Sequence, residues 1–388
     1  MRDASVVGKL VLEDTRVKRP RFTVLHLCAF VFGTFLTALL TAILFQILYV
    51  PPRIESGWRS FAPKAEQNQL GFRGRQIAFT NNDFVIVLLG DSQVEAMALP
   101  FDLMPERLLE SALNSGGRKV KVFSLGAGGY GQDQELLALE EYFRKYRADL
   151  VILWETPQND VWNNVFPTHM ASFNPKPTFW LDEGRLQGPT EALGQPLPYS
   201  RFALWALLQR LRHDMFEQRD RNWERRLPQP YRPLEHYTGQ VNTEWQDRWE
   251  TNKGRIRDEN LTNEKSHMAI TLSPRSDRMQ YGLDLTRALL QRINKVSSSQ
   301  GAGLLILQTD GNSLPQQDEV HVLNGKYYLV SRRQFVANWD YINQGFETDI
   351  TPLTGNDWRV SPEDAHLNLQ ANQRVMRDLA KRIGERIP

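Results

Sequence analysis

Short, fully apolar runs alternate with amphipathic stretches along much of the chain. "FVIVLLG" (84–90) precedes a helix candidate from Pro105 to Ser115. "KVKVFSLG" (119–126) precedes "DQELLALEEYFRKY" (133–146), whose apolar residues fall at near-helical spacing. "ADLVILWE" (148–155) follows, and "GAGLLILQT" (301–309) comes much later. Apolar strands alternating with helices predict an α/β fold with a mostly parallel sheet, covered on both faces. Ligands in such sheets bind at the carboxyl ends of the strands. The alternation breaks between about 165 and 300. There "RFALWALLQRLRHDMF" (201–216) is amphipathic, and 217–260 is rich in Arg, Trp and Tyr. This segment is expected to be a helical insertion on the rim. Its arginines, interleaved with Asp and Glu, read as a solvated face. Trp223, Trp245 and Trp249 read as packing beneath the insertion, with a sugar-stacking platform as the competing reading.

One apolar run is far longer than a strand. "FTVLHLCAFVFGTFLTALLTAILFQILYV" (22–50) contains no Asp, Glu, Lys or Arg. As a helix it would reach about 40 Å, enough for a hydrocarbon core of about 30 Å. A cleaved signal peptide would have a shorter apolar core, and no small-x-small site precedes Pro51-Pro52. Cys28 lacks a lipobox-like approach. The expectation is a retained single-pass signal anchor in the lipid bilayer. Lys9, Arg16, Lys18, Arg19 and Arg21 precede the span, against a thinner Arg53, Arg59 and Lys64 after it. Positive flanking charge therefore assigns 1–21 to the cytosol and exports 51–388. Cys28 is the only cysteine. The exported part thus forms no internal disulfide, which is compatible with a bacterial periplasm and an inner-membrane location. Residues 51–82 read as stalk and lead-in, and 83–388 as the exported domain. A formal net charge of +2 gives no argument for nucleic acid.

The first strand ends on Gly90-Asp91-Ser92. Alone this is weak, since Asp and Ser are favoured helix N-caps. The G-x-S-x-G elbow is absent, because Val94 stands at its last glycine. The second strand runs into "SLGAGGYGQDQ" (124–134), whose glycines allow close backbone approach and an oxyanion-donating N–H. Gly126, Gly128 and Gly131 also fit a dinucleotide fingerprint, but that motif usually follows the first strand of its unit. The third strand runs into "WETPQNDVWNN" (154–164), where Asn159 offers an amide donor; a plain turn is the bland alternative. Near the C-terminus, "SPEDAHLNLQ" (361–370) sets Asp364 two residues before His366, on one side of an extended stretch. A carboxylate there fixes the imidazole tautomer and frees the other nitrogen as a base. Glu95 and Gln134 lie near these motifs and read as structural hydrogen-bonding residues.

These blocks, in this order, resemble the SGNH hydrolase superfamily, the GDSL-type esterases. The resemblance covers about 84–165 and 300–385, through Gly90-Asp91-Ser92, Gly129, Asn159-Asp160 and Asp364-Ala365-His366-Leu367-Asn368. It implies a three-layer α/β/α, flavodoxin-like fold. It also implies Ser92 as nucleophile, His366 as base and Asp364 as orienting acid. The oxyanion donors would be the Ser92 and Gly129 backbone N–H groups and the Asn159 side chain. Many members carry the acid three residues before the histidine, where Glu363 stands here.

The expected chemistry is acyl transfer from an acylated small molecule or glycan. No cofactor is expected, and no HExxH, CxxC or histidine cluster calls for a metal. Three readings follow: an esterase; an O-acyltransferase or deacylase for an exported polysaccharide, working with a membrane acyl-donor protein; and a non-catalytic tethered binding module.

Overall fold

The computed structural model describes residues 23–48, 62–115, 117–165, 176–189, 205, 208, 269–273, 275, 277–310, 318–323, 326–353, 357–361 and 364–387. The 1–21 segment, most of the stalk, the three insertion tryptophans and Glu363 lie outside them.

In chain order the elements are α1 (Val24–Leu48), β1 (Phe84–Gly90), α2 (Ser92–Glu95), α3 (Pro105–Asn114), β2 (Val120–Gly126), α4 (Gln132–Phe143), β3 (Leu150–Trp154) and α5 (Pro157–Val165). A small hairpin follows, β4 (Trp180–Asp182) and β5 (Arg185–Gln187), then β6 (Leu272–Ser273), α6 (Asp277–Ser299) and β7 (Gly303–Asp310). The chain closes with β8 (Glu319–Leu323), β9 (Lys326–Val330), α7 (Arg332–Asn343), β10 (Thr348–Pro352) and α8 (Leu369–Gly384). Among the described residues, α1 is the one helix long and apolar enough to cross a membrane.

The central sheet has the order β10-β7-β3-β1-β2, with every neighbouring pair parallel. Counted along the chain this is 2-1-3-4-5, the flavodoxin-like order, whose switch point lies between β1 and β3. The apolar run of β1 serves two cores because alternate side chains leave opposite faces. Val85, Val87 and Leu89 meet α4, α5 and α6 through Leu139, Trp162 and Leu289. Ile86 and Leu88 meet α3 and α8 through Leu109, Leu113, Val375 and Leu379. Each such apolar side chain, fully buried, contributes about 1.5–3 kcal/mol. The result is three layers, α/β/α.

Residues 277–299, within the segment expected as insertion, form α6. This is the crossover helix from β3 to β7, with Leu283, Leu285, Leu289, Leu290 and Ile293 buried in the first core. Strand β10 was not foreseen. It alternates exposed and buried residues, so only two of its five positions face inward.

Candidate active site

Asp91 builds the first corner. Its carboxylate caps α2, Oδ1 accepting from Gln93 N at 2.8 Å, so Ser92 becomes the first helical residue. Ala96 ends this four-residue helix in the left-handed region, at φ 48°. Glu95 is buried, and its Oε2 accepts from Gly128 N at 2.7 Å, tying the glycine loop to α2. A Cβ on Gly128 would lie 4.0 Å from Ser92 Cβ, so the two segments touch. Gly129 has φ +75°, a conformation glycine adopts without strain. Among the described residues, neither the Ser92 nor the Gly129 N–H has a hydrogen-bond acceptor.

Asn159 lies in the first turn of α5. Its Oδ1 accepts from Asn163 Nδ2 at 2.9 Å, and its Nδ2 donates to Asp91 Oδ2 at 2.7 Å. These partners fix which end of the amide is which and leave one Nδ2 hydrogen for a ligand. Asp160 reaches back, its Oδ2 accepting from Thr156 N and Gln132 Nε2, both at 2.7 Å. It is a brace beneath the site. Gln134 is likewise buried in the first turn of α4.

The histidine arrives from the far end of the chain. His366 Nδ1 lies 2.5 Å from Asp364 Oδ1, which also accepts the His366 backbone N–H at 3.0 Å. Burial pushes the Asp364 carboxyl up, but the two His366 bonds outweigh it and hold the group below its usual range. The loop is held by Val360 N donating to His366 O and by Asn368, whose side chain accepts from Ala371 N and caps α8. Gln93 Oε1 accepts from Leu367 N at 3.3 Å, so α2 holds the histidine loop directly.

Ser92, Asp364 and His366 line one cavity of about 180 Å³, together with Gln93, Glu95, Ala96, Met97, Ala98, Leu99 and Leu367. No hydrogen bond joins Ser92 Oγ to the His366 ring; such catalytic bonds often tighten only once substrate is bound. Gly129 and Asn159 flank Ser92 from the ends of β2 and β3. The structure thus gathers every candidate residue at one edge of the sheet.

A second set of acids lies beneath. Asp91, Asp133, Glu135, Glu155 and Asp160 are all buried, and burial pushes each carboxyl up. Among the described residues, no three His, Cys, Asp or Glu side chains are grouped to hold a metal ion.

Sequence reasoning passed over Arg73. It comes from the lead-in "GFRGRQ", is 3% exposed, and its guanidinium bonds to the backbone of the 95–99 segment. Its signal was an arginine cluster that reads equally well as surface charge.

No protein-family model matches the chain, and no curated protein sequence matches it. Solved structures do. One is TesA, at 11% identity and a TM-score of 0.36, covering 77% of this chain and 97% of that one. Another is the psychrotrophic esterase EstA from Pseudoalteromonas, at 10% and 0.35, covering 78% and 96%. A third is a carbohydrate acetylesterase from Sinorhizobium meliloti, at 9% and 0.33, covering 78% and 99%. At such likeness the chain's own residues must decide its chemistry. They lie on a parallel 2-1-3-4-5 sheet, a three-layer flavodoxin-like α/β/α fold, with Ser92, Gly129, Asn159 and the Asp364–His366 pair at the switch-point edge.

Proposed function

We propose that the chain is a membrane-tethered serine esterase of SGNH type, cleaving ester-linked acyl groups by a Ser-His-Asp triad. The observation that carries this is the shared cavity: Ser92 and the Asp364-oriented His366 line the same 180 Å³ space. Asp364 holds the Nδ1 hydrogen, which leaves Nε2 to take the Ser92 proton as Oγ attacks the ester carbonyl. The developing oxyanion is met by the Ser92 and Gly129 N–H groups and the free Asn159 amide hydrogen. Each such donor is worth ~100- to 1,000-fold in rate. His366 then protonates the departing alcohol, and water, deprotonated by the same nitrogen, resolves the acyl-enzyme.

The apolar α1 helix favours a variant of this chemistry at an envelope surface, with the domain on the periplasmic side of the inner membrane. A glycan hydroxyl then replaces water, making the protein an O-acyltransferase supplied by a membrane acyl donor. Both outcomes share one acyl-enzyme. Incubation with an acylated envelope glycan separates them, since transfer yields a new ester and hydrolysis yields free acid.

The full-length protein in detergent should release p-nitrophenol from p-nitrophenyl acetate, and Ser92→Ala should lower kcat by roughly 10⁶-fold without shifting the melting temperature. Turnover that survives Ser92→Ala would refute the assignment and leave a binding module as the better reading.

A further inference from the structure

The cavity beside Ser92 has a direction. Asp364, His366 and Leu367 line it, while Gly129 and Asn159, the oxyanion side, do not. In an ester undergoing attack, the oxygen that leaves must lie within reach of the nitrogen that protonates it. Whatever fills the histidine side of Ser92 is therefore the alcohol portion of the ester, or the incoming acceptor alcohol in the return step.

The same cavity is lined by the segment Ala96 to Leu99, which includes the half-exposed Met97 side chain. Ala96 holds a left-handed backbone, with φ 48° and ψ 49°, which a residue with a Cβ adopts only under strain. Something must hold the segment there, and Arg73 does. Its Nη1 donates to Glu95 O at 3.2 Å and Ala96 O at 2.5 Å, and its Nη2 donates to Leu99 O at 2.8 Å. Its Nε is bound to Glu66 Oε2 at 2.8 Å. The segment is thereby pinned at both ends by one buried cation, with Met97 and Ala98 between the pins.

We propose that Arg73 is a specificity-determining positioning residue: by pinning the 96–99 wall, it sets which alcohols fit beside His366. This rests on the esterase reading above. Arg73 and Glu66 belong to the lead-in between the apolar helix and β1, so that lead-in shapes the alcohol pocket.

The test compares full-length wild type with Arg73→Ala and Arg73→Lys on two ester series. One varies the alcohol at fixed acetate, using p-nitrophenyl, 1-naphthyl and benzyl acetates. The other varies the acyl group at fixed p-nitrophenol, from acetate to hexanoate. The variant-to-wild-type ratio of kcat/KM cancels the intrinsic reactivity of each ester. For Arg73→Ala this ratio should differ by about tenfold or more across the alcohol series and stay nearly constant across the acyl series. Arg73→Lys, which keeps the charge but loses the fork, should fall between. A common loss in both series, or variation confined to the acyl series, overturns the proposal. Should Arg73→Ala fail to fold, Met97→Ala in the same wall must show the alcohol-selective pattern, and its absence is equally fatal. Wild type that hydrolyses no ester and reacts with no phosphonate would sink the esterase reading itself. An active wild type with a uniform Arg73 effect sinks this proposal alone.

Discussion

Among the described residues, two acid–base pairs share a separation of 2.5 Å: Asp364 with His366 at the rim, and Asp133 with Lys176 in the interior. Their surroundings differ completely. The rim side chains are 40% and 44% exposed, while those of Asp133 and Lys176 are wholly buried. At the rim, hydrogen bonds to His366 outweigh burial and keep Asp364 charged. In the interior, burial pushes the Asp133 carboxyl up and the Lys176 amine down, each toward neutrality, and their mutual attraction opposes it. Separation alone therefore says little about role. A pair that must pass a proton to substrate needs access, and a pair that braces the scaffold needs the reverse.

The comparison breaks most visibly at Asp364. Asp364→Asn removes the acceptor that sets the imidazole tautomer and should lower kcat by about 10⁴-fold. The melting temperature should scarcely move, since exposed pairs contribute only about 0–1 kcal/mol. An undiminished kcat in this variant would transfer the orienting role to Glu363.

Lys176→Met should do the opposite. It leaves Asp133 buried without its cation and should destabilise the domain by about 3–5 kcal/mol in denaturant melts. Hydrolysis per folded molecule should change less than twofold. A large loss of kcat at unchanged stability would place the interior pair in the chemistry.

The smallest effect sharpens the same contrast through pH. Glu106 on α3 accepts from Arg75 N and Ser124 N, each at 2.7 Å, yet burial pushes its carboxyl up to about 7. The folded state therefore holds a proton that the unfolded chain releases near pH 4.5. The stabilisation is complete below that pH and is lost as pH rises through about 7. Relative to Glu106→Gln, the wild type should lose about 3 kcal/mol between pH 4 and pH 8, read from urea midpoints at each pH. A flat difference would mean that Glu106 titrates at the same pH in the folded and unfolded chain, so that burial does not raise it.

What was legible in the chain follows the same division. Ser92, Gly129, Asn159 and His366 are marked by position, each just past an apolar run or before the closing helix. Two acids precede the histidine, and the spacing points to Asp364 as its partner, with Glu363 at the position many members of the superfamily use. The 2.5 Å contact makes Asp364 the partner of His366. The buried brace was not legible. Lys176 and Arg73 are cations, which composition assigns to the surface, and their burial depends on partners 43 and more than 20 residues away. Helix α6 was absorbed into the interrupted segment because a long polar stretch precedes it. Strand β10, "TDITP", has too few apolar residues to announce itself. Edge positions and buried ions arise from tertiary neighbours, which no local pattern encodes.

The most direct measurement is intact mass after exposing the full-length protein to a fluorophosphonate. The account predicts a single phosphonyl adduct that maps to Ser92. Its formation should be slowed at least a thousandfold, to roughly the rate of an unactivated hydroxyl, in a folded His366→Ala variant. An adduct that maps elsewhere, or labelling of Ser92 at the same rate without the imidazole, would contradict it.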